Sequence, residues 1–282
     1  MSGALVDVGD GIEIWASSTG DGPAVLLSPG LGMPPGSWAF SGLPERLADA
    51  GFRVITYAAR GVAPSSAPPA PYTVHGMAAD AASVLGHFDV DEAILVGYSM
   101  GCYVSQALFD VWSGRVVGLA MIGGLRSSVI GEVVNRMELD LIERLGGVPA
   151  SVSLFEQLMT TLAPSTLRDN AQVGVWRDIL ASASDVWTSP AGQHGQTAAS
   201  WAWMSAGEPT LDRLTAIDCP TLVVGFEDDV FFPPSGSREA ASHIPDSRWL
   251  LVDGEGHGGL MLDPAHRAAS HVVDFCTSLA TP

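Results

Sequence analysis

The stretch Ala93-Ile94-Leu95-Val96-Gly97-Tyr98-Ser99-Met100-Gly101 decides how this chain is read. Ala93 to Val96 is a short, unbroken apolar run of the kind that fills a strand buried on both faces. Helical spacing begins at Ser99 and continues to about Asp110. Gly97 and Gly101 stand two residues before and two after the serine. Small residues there let a strand turn sharply into a helix, which leaves the serine on a strained corner with its hydroxyl clear of the backbone. A serine at this place can also be a plain helix N-cap; the strand–turn–helix context favours a nucleophile.

Working outward, strands are expected at Ile12–Ala16, Ala24–Ser28, Arg53–Tyr57, Val116–Ile122, Pro220–Gly225 and Ser247–Val252. Between them lie helical patterns: 41–50 closed by Gly51, a helix capped by Thr73 and running to His87, and a last helix over 265–279. Apolar β-branched runs alternating with helices predict an α/β protein, a mostly parallel sheet with helices on both faces. From 126 to 212 no convincing strand occurs, and helical spacing over 133–145 and 153–162 is interrupted by Pro149, Pro164 and Pro190. The expected organisation is a core domain of residues 1–125 and 213–282 with a helical cap, or lid, inserted at 126–212.

A serine nucleophile needs a base and an orienting carboxylate, and behind such a turn they follow in the order serine, acid, histidine. His257 stands in Gly254-Glu255-Gly256-His257-Gly258-Gly259, just after the last strand, where glycines let a ring reach back over the sheet edge. The other six histidines fall on or beside surface helices, or, for His194, in the insertion. The acid comes from Glu227-Asp228-Asp229 after the penultimate strand. Asp229 has the usual three residues before a proline, Pro233, and Asp228 is the alternative. For the developing oxyanion, two backbone N–H groups are expected: that of Met100, directly after the serine, and that of Leu31 in Ser28-Pro29-Gly30-Leu31-Gly32-Met33.

Together these residues resemble the serine hydrolases of the α/β-hydrolase fold. The resemblance covers about residues 12–125 and 213–280 and rests on Gly97-Tyr98-Ser99-Met100-Gly101, the Asp229 loop and Gly256-His257. Arg60-Gly61-Val62-Ala63-Pro64-Ser65 is similar to the family's Arg-Gly-x-Gly-x-Ser loop, with Ala63 and Pro64 as variations, and the resemblance implies a structural role for the arginine. One departure stands out: the family usually has His-Gly at the oxyanion loop, whereas this chain has Pro29-Gly30, without the side chain that often pins that loop. Epoxide hydrolases and dehalogenases of the family carry aspartate at the nucleophile position, and the epoxide hydrolases use lid tyrosines. Here the position is Ser99, and all four tyrosines precede the insertion, which disfavours both activities.

Composition narrows the chemistry further. All 13 basic residues are arginine against 31 acidic ones, a formal charge of −18. The absence of lysine excludes Schiff-base and pyridoxal chemistry and nucleotide loops built on Gly-Lys-Ser/Thr. The acidic balance argues against nucleic acid and against anionic membrane surfaces. Cys102, Cys219 and Cys276 are odd in number, far apart and without metal-ligand spacing, as in a reduced intracellular protein where they serve as small apolar filler. The start Met1-Ser2-Gly3-Ala4-Leu5 has no basic segment or long apolar run, so a cytoplasmic location without an anchor is expected. No sequence feature marks an oligomeric interface.

The insertion holds Trp176, Trp187, Trp201 and Trp203, half of the eight tryptophans. They are candidates for the wall of an apolar pocket over Ser99, or for the insertion's own small core. The resulting expectation is an enzyme without cofactor or metal that hydrolyses an ester or related acyl bond of a small, largely apolar molecule through Ser99, His257 and Asp229. Thioester, lactone or carbon–carbon bond hydrolysis would use the same groups. A cofactor-independent isomerase or cyclase, or a ligand-binding protein, is the alternative on this fold.

Overall fold

Eight segments pair into one sheet: β1 Ala4–Asp7, β2 Glu13–Thr19, β3 Ala24–Ser28, β4 Arg53–Tyr57, β5 Ala93–Tyr98, β6 Val116–Ile122, β7 Thr221–Phe226 and β8 Ser247–Val252. The computed structural model describes residues 3–182 and 186–280; Met1 and Ser2 of the amino-terminal stretch quoted above lie outside them. The strand order is β1-β2-β4-β3-β5-β6-β7-β8. β2 runs antiparallel to both its neighbours, β1 and β4, and β3 through β8 pair in parallel.

The unbroken apolar runs follow from cover on both faces. In β3, Leu26 joins a core with Val84, Leu85 and Leu108, from the helices Val74–His87 and Met100–Trp112. Its neighbours Val25 and Leu27 point the other way, into a core with Trp38, Leu47 and Val272 beneath the helices Trp38–Ser41, Leu43–Asp49 and Arg267–Ala280. β5 repeats the division, with Leu95 on one face and Ile94 and Val96 on the other. An alternation of period two is thus present but hidden, because both sets are buried.

Most expected elements are found within a residue or two. β1 escaped the sequence reading: at four residues, Ala4-Leu5-Val6-Asp7, it is too short to show an alternation, and only Val6 is buried. The helix expected over 41–50 is two pieces, broken at Gly42, whose φ of 63° is left-handed. Thr73 does cap its helix, accepting a hydrogen bond from the Gly76 N–H. The three cysteines are buried and unpaired, and burial pushes their thiols up, Cys219 to about 11 and Cys276 to about 12.

Between β6 and β7 the chain is helical: Val129–Leu145, Ala150–Thr161, Pro164–Leu167, Asn170–Ser182, Pro190–Ser205 and Leu211–Ala216. Pro164 and Pro190 open helices rather than interrupt them, since a first-turn proline loses no intrahelical bond. The helix Leu211–Ala216 straddles the expected boundary at 212/213, and its Leu214 is packed into the sheet core. The helical segment is fastened to the loop after β4. Val62 and Trp187 form an isolated antiparallel bridge, the Thr188 N–H donates to Gly61 O at 2.9 Å, and the Ala63 N–H donates to Val186 O at 2.9 Å. Gly61 and Gly192 meet backbone to backbone; a Cβ on Gly61 would stand 2.7 Å from Gly192 Cα.

Candidate active site

Ser99 occupies the corner between β5 and the helix Met100–Trp112 with φ 55° and ψ −125°, a conformation costly for a non-glycine residue. Three glycines make the corner. A Cβ on Gly97 would lie 2.5 Å from Gly101 O, one on Gly101 2.0 Å from Ser28 O, and one on Gly124 2.3 Å from Ser99 O. The Ser99 N–H is held by Ile122 O at 3.0 Å, at the end of β6. The strain is therefore over-determined by the backbone on every side.

His257 reaches this corner from the loop after β8. Its Nε2 is 3.0 Å from Ser99 Oγ, and its Nδ1 is 2.9 Å from Asp229 Oδ2. The other oxygen of Asp229, Oδ1, accepts from the Phe231 and Phe232 N–H groups, both at 2.8 Å. With both oxygens engaged and the side chain wholly buried, the carboxylate cannot rotate away from the ring. Of the three consecutive acidic residues, Asp229 is the one that meets His257. The Asp228 N–H bonds Glu255 O instead, and the exposed Glu227 accepts from the Gly254 N–H.

The imidazole is also boxed in by aromatic rings. Tyr98 and Phe232 lie nearly parallel to it, with centroids 5.6 and 5.4 Å away, and Phe231 stands edge-on at 5.1 Å. The Tyr98 hydroxyl donates to His257 O at 2.9 Å, which ties the Ser99 turn to the histidine loop. Of the other six histidines, His75, His87, His243 and His271 are exposed; none of the six lines the cavity beside Ser99.

Leu31 and Met100 both line that cavity. Among the described residues neither backbone N–H has a protein acceptor, whereas the neighbouring Gly32 N–H is taken by Gln196 Oε1 at 2.9 Å. Gln196 belongs to the helix Pro190–Ser205, is fully buried, and donates through Nε2 to Arg60 O at 2.8 Å. It pins the loop over 30–33, where Pro29 offers no such side chain, from 164 residues away. Arg60 is structural in turn, paired through two 2.6 Å contacts with buried Asp80; burial pushes the Asp80 carboxyl up and the guanidinium opposes this.

The alpha/beta hydrolase fold family matches residues 23–264 of this sequence. The chain belongs to that family. A thermophilic esterase from Thermogutta terrifontis superposes with a TM-score of 0.82 at 26% identity, covering all of both chains. A non-heme haloperoxidase of Rhodococcus erythropolis is 27% identical over 258 residues, 90% of this chain and 92% of that one. BpoC of Mycobacterium tuberculosis, provisionally named a non-heme bromoperoxidase, is 29% identical over 260 residues, 90% of this chain and 94% of its own.

In this α/β hydrolase the cavity over Ser99 measures about 340 Å³, the size of a site for a small molecule. Only one of the four tryptophans expected there, Trp187, lines it. Gln193, Ser200 and Met204, spaced a helical turn or two apart, face the cavity, and Trp201 and Trp203 fall off that stripe. Trp203 is buried instead against Tyr103, stacked at 5.6 Å, under the Arg213 guanidinium. Trp176 lies one turn before Leu180, which reaches the cavity; Trp176 itself lines a separate recess with Thr161 and Leu262. The wall is also less apolar than expected. Leu31, Phe231, Phe232 and Met204 are joined by Asn135, Glu138, Glu156 and Gln157. Among the described residues no group of three His, Cys, Asp or Glu is placed to hold a metal ion, and no helix is long and apolar enough to cross a membrane.

Proposed function

We propose that the protein hydrolyses a carboxylic ester of a small molecule by acyl transfer through Ser99. The observation that carries this reading is the chain of contacts from Ser99 Oγ to His257 Nε2 and from Nδ1 to a carboxylate pinned by two amides. His257 takes the Ser99 proton as Oγ attacks the carbonyl carbon. Asp229 holds the Nδ1–H tautomer and steadies the imidazolium. The Leu31 and Met100 N–H groups donate to the oxyanion. The proton then passes from Nε2 to the leaving alcohol, and a water activated by the same nitrogen releases the acid. Residues 126–212 act as the lid that shapes the acyl or alcohol pocket over a core of 1–125 and 213–282. Thioesters, lactones and carbon–carbon bonds next to a ketone are open to the same groups.

The names of the haloperoxidase relatives favour a second reaction on the same acyl-enzyme. Hydrogen peroxide in place of water attacks the acyl carbon, Ser99 regains its proton, and a peracid leaves. Both reactions need Ser99 acylated.

A fluorophosphonate probe should label wild-type protein at a single site and leave Ser99→Ala untouched, followed by mass spectrometry. Equal labelling of the two, or none of wild type, sinks the acyl-transfer reading in favour of an isomerase, cyclase or binding protein. Aryl esters graded by acyl length then measure the pocket.

Gln196 should act on the rate through the loop it pins. Gln196→Leu leaves the half-buried Gly32 N–H and Arg60 O without these partners, a stability cost of about 1 kcal/mol. It is expected to lower kcat about tenfold with KM little changed, the size of effect of partly losing one oxyanion donor. Steady-state kinetics with an aryl ester checks the split; a rise in KM alone would limit the residue to binding.

A further inference from the structure

Asn135 and Glu138, on the helix Val129–Leu145, and Glu156, on the next helix, line the same cavity as Ser99. The hydrogen-bond inventory of this corner is one-sided. Asn135 is more than nine-tenths buried and spends its Nδ2 on Gly131 O at 3.0 Å; its Oδ1 is buried without a donor. Glu138, also more than nine-tenths buried, accepts one hydrogen bond, from Thr197 Oγ1 at 3.3 Å. Glu156 Oε2 is buried with no partner. What remains is a set of acceptors, and the chain does not answer it with a cation. It has no lysine, and neither glutamate takes part in an ion pair formed among the described residues.

We propose that Asn135, Glu138 and Glu156 form a subsite for a protonated amine carried by the substrate, so that the ester cleaved at Ser99 belongs to an amine-bearing molecule. The second half of that statement rests on the ester-hydrolysis reading; the subsite itself does not. An ammonium group brings three N–H donors and one positive charge, matching under-used acceptors, two of which are carboxyl groups that it would hold in the ionised form. A neutral hydroxyl brings one donor, and an anion is repelled. Both carboxyl groups are pushed up, Glu138 by burial and Glu156 by burial and by the charge of Glu138. Burying two carboxylates together without a counterion is costly, and a bound ammonium removes that cost.

The test compares two ligands of equal length, n-hexylammonium and 1-hexanol, by calorimetric titration into wild type and into the Glu138→Gln/Glu156→Gln double variant. Hexylammonium should bind wild type at least ten times more tightly than hexanol, and that ratio should fall to about one in the double variant. Equal binding of the two by wild type, tighter binding of hexanol, or an unchanged ratio in the variant overturns the subsite. If the double variant does not fold, either single glutamine variant must lower the ratio by severalfold for the proposal to stand. The substrate claim is read separately, from kcat/KM for the phenyl esters of 6-aminohexanoate and heptanoate: a tenfold preference for the amino ester supports it, and indifference removes it. Failure of both esters together with failure of fluorophosphonate labelling counts against the esterase reading alone, because the binding comparison needs no turnover.

Discussion

Ser99→Ala is expected to lower kcat toward an aryl ester by about 10⁶-fold, as removal of the nucleophile does in serine hydrolases, or about 8 kcal/mol of barrier. The size follows from the geometry. Ser99 Oγ is the atom that His257 Nε2 meets, at 3.0 Å, and alanine leaves the base with nothing to deprotonate but water. The substitution also isolates chemistry from folding. The φ of 55° at Ser99 is imposed by the contacts of Gly97, Gly101 and Gly124 rather than by the hydroxyl, so the melting temperature should stay within a few degrees of wild type. Burst-phase release of aryl alcohol should vanish with the turnover. A variant that kept more than about one per cent of wild-type kcat would remove Ser99 from the mechanism, since so small an effect is within reach of lost positioning alone and far below the loss of a nucleophile.

Asp229→Asn should cost about 10⁴-fold in kcat, the effect of presenting the wrong hydrogen-bonding group to the imidazole Nδ1. Asparagine fits the same space. Its oxygen can keep the Phe231 and Phe232 N–H bonds that Oδ1 now accepts at 2.8 Å, and its NH₂ then faces Nδ1 and holds the ring in the tautomer that protonates Nε2. The base is lost while the fold stays intact. Asp228→Asn is the control: it lies outside the contacts of His257 and should stay within about threefold of wild type, the range of a surface substitution. If instead the 228 variant falls by orders of magnitude and the 229 variant does not, the acid has been assigned to the wrong residue.

The sheet was legible because its central strands bury both faces, so that Ala24–Ser28 and Ala93–Tyr98 stand out as unbroken apolar runs. The corner at Ser99 was legible because two of its three glycines are local, two residues to either side, while Gly124 arrives from the end of β6. The spacing from Asp229 to Pro233 likewise pointed to the acid that meets His257. What sequence could not carry was contact across the fold. Gln196 bonds Gly32 and Arg60 at separations of 164 and 136 residues, and nothing about a glutamine in a helix announces that. The tryptophans misled for a related reason: composition says how many large rings the insertion holds, while the helical stripe of Gln193, Ser200 and Met204 decides which side faces the cavity. Glu138 and Glu156, eighteen positions apart on separate helices, read as ordinary charged residues until packing buries them together.

The Gly61–Gly192 contact and the Gln196 bridge also bear on how this fold can be engineered. Exchange of the helical segment with that of a relative is the obvious route to a new substrate range, because the segment enters and leaves the sheet between two adjacent strands. Under the proposed mechanism the graft carries part of the rate machinery with it. A donor segment lacking a small residue at 192 would collide with the turn at 61, and one lacking an amide at 196 would leave the Gly32 loop untethered. Chimeras that keep residues 186–196 of this chain and replace only the helices at 129–161 should therefore retain turnover while changing what they accept, and the two properties can be selected in separate libraries.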